Sequence, residues 1–200
     1  MAELLRGRAT RESYARLMAS LLEIYTALEV GLARHAAHPV LAALRTLDFA
    51  RRDAITADLR ALAALGVVAT SIPDEARRYA SHLRALADED PLRLLAHAWV
   101  RYLGDLSGGV IVGRIVGQSL ALPSDAMQFY AFPSIADPRV AASEWRTALD
   151  AARLDADAQQ GIIEEAVDGF RRHIALFRAL ASPGSVDPDT QDAADSSSAA

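Results

Sequence analysis

Between residues 10 and 37 the apolar positions Tyr14, Leu17, Met18, Leu21, Tyr25, Leu28 and Leu32 recur at steps of three and four. That spacing is one face of a long helix, with Pro39 at its end or in the turn beyond. Residues 40–65 read as helical with a break near Leu47–Phe49, and Gly66 suits the exit. The β-branched run that follows, Val67 to Ser71, has no second strand to pair with and reads as a loop. Pro73 followed by Asp74 and Glu75 starts a helix to about Ala87, and Pro91 opens another to about Ala121. Pro123 and Pro133 bracket a short helix or turn bearing Phe129, Tyr130 and Phe132. Asp137-Pro138 starts a helix to about Leu154, and Asp155 or Asp157 starts the last, to about Leu180. There is no strand alternation of any length and no repeat at a fixed period. The expectation is an all-α fold: one domain of seven or eight helices over residues 1–181, with a disordered acidic tail at 182–200.

Composition narrows this little. A hydrophobic fraction of 52% over 200 residues suffices for one sizeable core. No apolar run reaches the ~18 residues of a membrane span, and the N-terminus has no apolar signal region. A cytoplasmic location with no membrane partner is therefore expected. The absence of cysteine excludes disulfides and thiolate chemistry. The net charge of −5 comes mostly from four aspartates in the tail. A nearly neutral body gives no case for nucleic-acid binding.

One stretch resists a purely structural reading. Residues 101–117, RYLGDLSGGVIVGRIVG, lie in a helical region yet hold Gly104, Gly108, Gly109, Gly113 and Gly117. Each costs a helix roughly 1 kcal/mol relative to alanine. His97, Arg101 and Asp105 stack at spacings of four along one face, which alone describes an ion pair on a solvated surface. Gly104 and Gly108 stand beside that stripe, and a solvated face has no use for missing side chains. Something approaches the backbone there, either another helix or a flat ligand. A dry helix contact would press Asp105 into apolar surroundings at high cost, whereas an acid beside a ligand cavity is useful. Gly113 and Gly117, further along, suit helix packing.

At these residues the sequence resembles the heme oxygenase family. Residues 94–109, LLAHAWVRYLGDLSGG, are similar to the signature of the family's distal helix. YARLMASLLEIYTALEVGL, MQFYAFPSI and IIEEAVDGFRRHIALFRAL resemble three further family segments, in consistent order over roughly residues 5–181. The resemblance implies an all-α fold that sandwiches heme between two helices, with heme as both cofactor and substrate. It implies opening of the ring by dioxygen and reducing equivalents to biliverdin, carbon monoxide and ferrous iron. The electron donor would be a ferredoxin or a flavin reductase. Gly104 and Gly108 would let the helix lie against the porphyrin, and Asp105 would hold a water network that supplies protons to bound dioxygen. Arg101 and Tyr25 match positions that tether this network. Trp99 and Arg146 match positions at the porphyrin edge, where Arg146 would pair with a propionate. His173 stands where the family often carries an amide, and would join the network or approach the iron.

The family's axial histidine lies on a helix ahead of the first long one. None of His35, His38, His82, His97 and His173 occupies that position, and Met1 falls about where that helix should end. Three explanations fit, a natural protein about 25–35 residues longer, from the length of a helix plus its lead, a truncated chain, or a member that binds heme differently, and the first is the expectation. No metal ligand is assigned within the chain. His97 reads as a structural residue of the helix interior, and His82 has no ligand partner at spacing four. Two other functions stay open: a non-catalytic heme carrier or sensor, and a carboxylate-bridged dimetal oxidase. The last needs Glu-x-x-His pairs, which the chain lacks.

Overall fold

The computed structural model of the chain describes residues 9–43 and 49–181. The expected tail and most of the expected break at Leu47–Phe49 lie outside them. Among the described residues the regular structure is helical throughout.

The first long helix, α1 (Arg11–Arg34), starts at a capping box in which Thr10 accepts from the Ser13 backbone N–H and Ser13 returns the bond. Its apolar face, from Tyr14 to Leu32, is buried as the spacing predicts. The helix closes at His35, ahead of Pro39, and Pro39 instead opens the short α2 (Pro39–Ala43), where its missing N–H is no loss. The third helix, α3 (Arg52–Ala64), leaves through Gly66 at φ +77°. There Val67 donates to the Leu62 carbonyl and Gly66 to that of Ala63, the paired bonds of a Schellman turn. Pro73 then precedes α4 (Asp74–Glu89), which packs along α1.

A 3-10 turn at Pro91–Arg93 leads into α5 (Leu94–Ala98), and a π-turn at Trp99–Leu103 joins it to α6 (Gly104–Leu120). The sequence predicts one uninterrupted helix here. The π-turn adds a residue to the coil, and such insertions concentrate at functional sites. At its far end Arg11 donates to the carbonyls of Leu120 (2.8 Å) and Ala121 (3.0 Å), tying α6 to the start of α1.

The aromatic segment forms two 3-10 turns, Ser124–Ala126 and Gln128–Tyr130. Buried Asp58 on α3 accepts from the backbone N–H groups of Gln128 (2.6 Å) and Phe129 (2.8 Å), fixing the second turn. Asp137 caps α7 (Pro138–Ala151), and Asp155 caps α8 (Ala156–Ala181) through the Ala158 N–H. The last helix lies against α4, α5 and the π-turn. These contacts bring α1, α8 and the π-turn to one place.

Candidate active site

Arg101 lies within the π-turn and is buried. Its guanidinium meets three partners from three elements. Nε donates to the Tyr25 hydroxyl on α1 at 3.0 Å, and another nitrogen stands 3.5 Å from Asp105 Oδ1. A third donates to His173 Nε2 on α8. The Tyr25 hydroxyl in turn donates to Asp105 Oδ2. The Arg101 guanidinium also lies over the Tyr25 ring, 4.9 Å from its centroid. The structure thus joins four residues singled out from the sequence, Tyr25, Arg101, Asp105 and His173, in one hydrogen-bonded group.

The electrostatics follow from burial. Desolvation pushes the Asp105 carboxyl above the ordinary aspartate range, and the Arg101 charge and the Tyr25 hydroxyl pull it back. Burial likewise raises the Tyr25 phenol well above its usual value, so it stays a donor. His173 is held down to about 3, by burial first and then by the Arg101 charge. It is therefore a neutral member of the group.

Beside this group lies a cavity of about 210 Å³. Arg101, Gly104, Asp105 and Gly108 form one wall, Leu17 and Leu21 of α1 another, with Phe129, Tyr130 and Phe177 closing around them. A Cβ built on Gly104 or Gly108 would meet no atom within 4 Å, whereas one on Gly113 would stand 2.8 Å from two atoms of Tyr130. The first two glycines therefore open space on the cavity side, and the third admits an aromatic ring. Gly117 meets only Met127 Cε, at an ordinary 3.7 Å, so close packing does not require it. An apolar slot with bare helix backbone on one wall and a clamped carboxylate at its edge fits a flat, largely apolar ligand. The face of α8 that carries Phe177 also exposes Ile163, Val167, Phe170 and Ile174, which extends the apolar surface beyond the cavity.

Trp99 and Arg146 come together without lining this cavity. Trp99 stacks on Trp145 with centroids 5.6 Å apart, and the exposed Arg146 guanidinium lies 5.8 Å from the Trp99 ring. None of the five histidines lines the cavity either. The profile of the heme oxygenase family matches residues 1–179. The chain belongs to the heme oxygenase family. The heme oxygenase of Takifugu rubripes is 34% identical over 181 residues, covering 88% of this chain and 64% of that protein. The chain therefore spans less than two thirds of that relative's length. The crystal structure of heme oxygenase-1 from the cyanobacterium Synechocystis in complex with heme superposes with a TM-score of 0.83 at 28% identity, over 90% of this chain and 82% of that one. The heme oxygenase of Leptospira interrogans gives 0.82, also at 28% identity, over 88% and 87%.

Membership establishes the helical fold expected from the sequence. Sequence reasoning passed over Leu17, Leu21, Phe129, Tyr130 and Phe177 as cavity residues. The aromatic cluster between Pro123 and Pro133 was the available signal for two of them. It also passed over the pairing of His82 and His97 with Glu165, which joins three helices.

Proposed function

We propose that this protein takes heme as substrate and opens it oxidatively to biliverdin, carbon monoxide and ferrous iron, using dioxygen and external electrons. The observation that carries this reading is the Asp105 carboxylate, clamped by Tyr25 and Arg101 at the wall of an apolar cavity beside two glycines with open space over them. Heme, when bound, supplies the iron chemistry with dioxygen and is itself consumed. The chain supplies shape and protons. Gly104 and Gly108 leave room for the ring against the helix backbone. Tyr25 occupies Asp105 Oδ2, and Oδ1, 3.5 Å from the Arg101 guanidinium, would order water. A carboxyl raised by burial and checked by the Arg101 and Arg51 charges can take and return a proton. Arg101 and His173 hold that carboxyl in place, and His173 belongs to the proton network rather than to the iron. Arg146, exposed beside Trp99, is the cation for a propionate at the ring's edge. The electron donor in this reading is a ferredoxin or a flavin reductase, and the compartment is the cytoplasm. No helix among the described residues is long and apolar enough to cross a membrane.

The test is direct. Hemin titration should give a saturable Soret band, and reductant with oxygen should replace that band by biliverdin absorption. Tight hemin binding without turnover would instead support a heme carrier. That second reading draws on the finding that none of the five histidines lines the cavity.

A further inference from the structure

One turn before the Arg101 group, three side chains from three helices converge on a point. His97 of α5 directs Nε2 at Glu165 Oε1 of α8 (2.8 Å), and His82 of α4 directs Nε2 at the same oxygen (2.6 Å). All three ligand atoms lie within 4.8 Å of one another. We propose that His82, His97 and Glu165 bind a divalent transition-metal ion, with zinc as the type.

The donor set is two imidazoles and one carboxylate, which suits zinc and its first-row neighbours and disfavours calcium or magnesium. Metal–ligand bonds of about 2.0–2.1 Å set tetrahedral ligand atoms roughly 3.3 Å apart, so the His97 and His82 contacts to Glu165 need open by only about 0.5 and about 0.7 Å. His97 is fully buried, Glu165 nearly so, and His82 is one-quarter exposed. An ion would enter past His82 and keep water as its fourth ligand.

The surroundings prepare the ligands. The Tyr79 hydroxyl lies 2.9 Å from His97 Nδ1. It donates there while Nε2–H faces Glu165. It can equally accept from Nδ1–H once the proton has moved and Nε2 offers its lone pair to a metal. That is the outer-shell arrangement that metal-ligating histidines use. Gly169 makes room for this ring, since a Cβ there would sit 3.1 Å from His97 Nδ1. The nearby cations are each matched with an acid: Arg93 pairs with Asp90 and stands 3.9 Å from Glu165 Oε2, and Arg172 pairs with Asp168. Asp168 Oδ2, 3.7 Å from His82 Nε2, adds a second carboxylate at the mouth.

The ion would cross-link α4, α5 and α8. The alternative occupant of this geometry is the two hydrogen bonds alone, and His82→Gln separates the two cases. A glutamine amide can still donate to Glu165 but is a poor transition-metal ligand. The protein, prepared without a histidine tag, is titrated with Co(II), then with Zn(II) by calorimetry, alongside His82→Gln, Tyr79→Phe and His35→Ala. Wild type should show one equivalent of Co(II) with intense visible bands of a four-coordinate ion, displaced by Zn(II). His82→Gln should lose the bands while keeping its far-ultraviolet dichroism. Tyr79→Phe should lower zinc affinity about 10–100-fold, the usual effect of an outer-shell partner, and His35→Ala should bind as wild type does. Absence of visible bands in the wild type overturns the proposal, and so does binding that survives His82→Gln or disappears in His35→Ala.

Discussion

The His173 imidazole accepts a hydrogen bond from the Arg101 guanidinium, and this fixes its tautomer. Arginine can only donate, so Nε2 carries a lone pair. The proton sits on Nδ1, which donates to the Gly169 carbonyl at 2.9 Å. Arg101 is thus held from the α8 side by a neutral acceptor, and its charge stays directed at Asp105 and Tyr25.

Replacing His173 by leucine should destabilise the protein by about 1–3 kcal/mol, because a buried guanidinium donor loses its partner. Glutamine keeps an amide oxygen at the reach of Nε2 and should cost less. Urea unfolding of the two variants checks this. Equal losses would show that the imidazole acts only by filling space.

The same histidine makes stability depend on pH. Its folded value is about 3, against an ordinary value near 6.5, with burial as the first cause and Arg101 as the second. Between those values the unfolded chain binds one more proton than the folded one. The contribution is fully present above pH 6.5 and is lost as pH falls toward 3, at about 1.4 kcal/mol per pH unit. His97, lowered chiefly by burial, has the same sign. The urea midpoint of the wild type should therefore drop between pH 7 and 5, and that of His173→Gln should drop less. Parallel curves would remove His173 as the source.

The sequence carried the local signals well. Proline positions, the helical period and Gly66 placed the helices within a few residues of where they lie, because each signal acts on its own turn of chain. Pro39 misled because a proline is as good at a helix start as beyond a helix end. Nothing in residues 99–103 marks a π-turn, whose register depends on what Arg101 must reach on other helices. Asp105, Gly104 and Gly108 were legible because glycine and an acid are both out of place in a core helix. The link from His82 to Glu165 spans 83 residues, and no local pattern reports which helix faces meet. Gly113 and Gly117 read alike in the sequence, as packing positions further along the helix. Only the position of the Tyr130 ring distinguishes the two.

Asp105→Ala should leave hemin affinity within a few-fold of wild type and lower biliverdin formation on the order of 10²–10⁴-fold, the range of a positioned proton donor or acceptor. Tyr25→Phe frees Asp105 Oδ2 and should reduce turnover by less. Single-turnover absorbance after addition of reductant separates the chemical step from binding. Unchanged biliverdin yield and rate in Asp105→Ala would sink the proton-delivery role.

The glycines of α6 provide the sharpest contrast, since chemically identical substitutions should have opposite outcomes. Gly108→Ala places a methyl where no atom lies within 4 Å. It should stabilise the ligand-free protein by up to about 1 kcal/mol through helix propensity. Because that open space is where the heme ring would lie, hemin affinity should fall. Gly113→Ala places its methyl 2.8 Å from two atoms of Tyr130, a ring that cannot retreat without moving the turn that Asp58 holds. Overpacking of this kind costs about 1–3 kcal/mol, which exceeds the propensity gain. Thermal melts without hemin, paired with Soret titrations, read both effects. A Gly108→Ala protein that melts higher and binds hemin as tightly as wild type would show that the space over Gly108 is not where the ring sits.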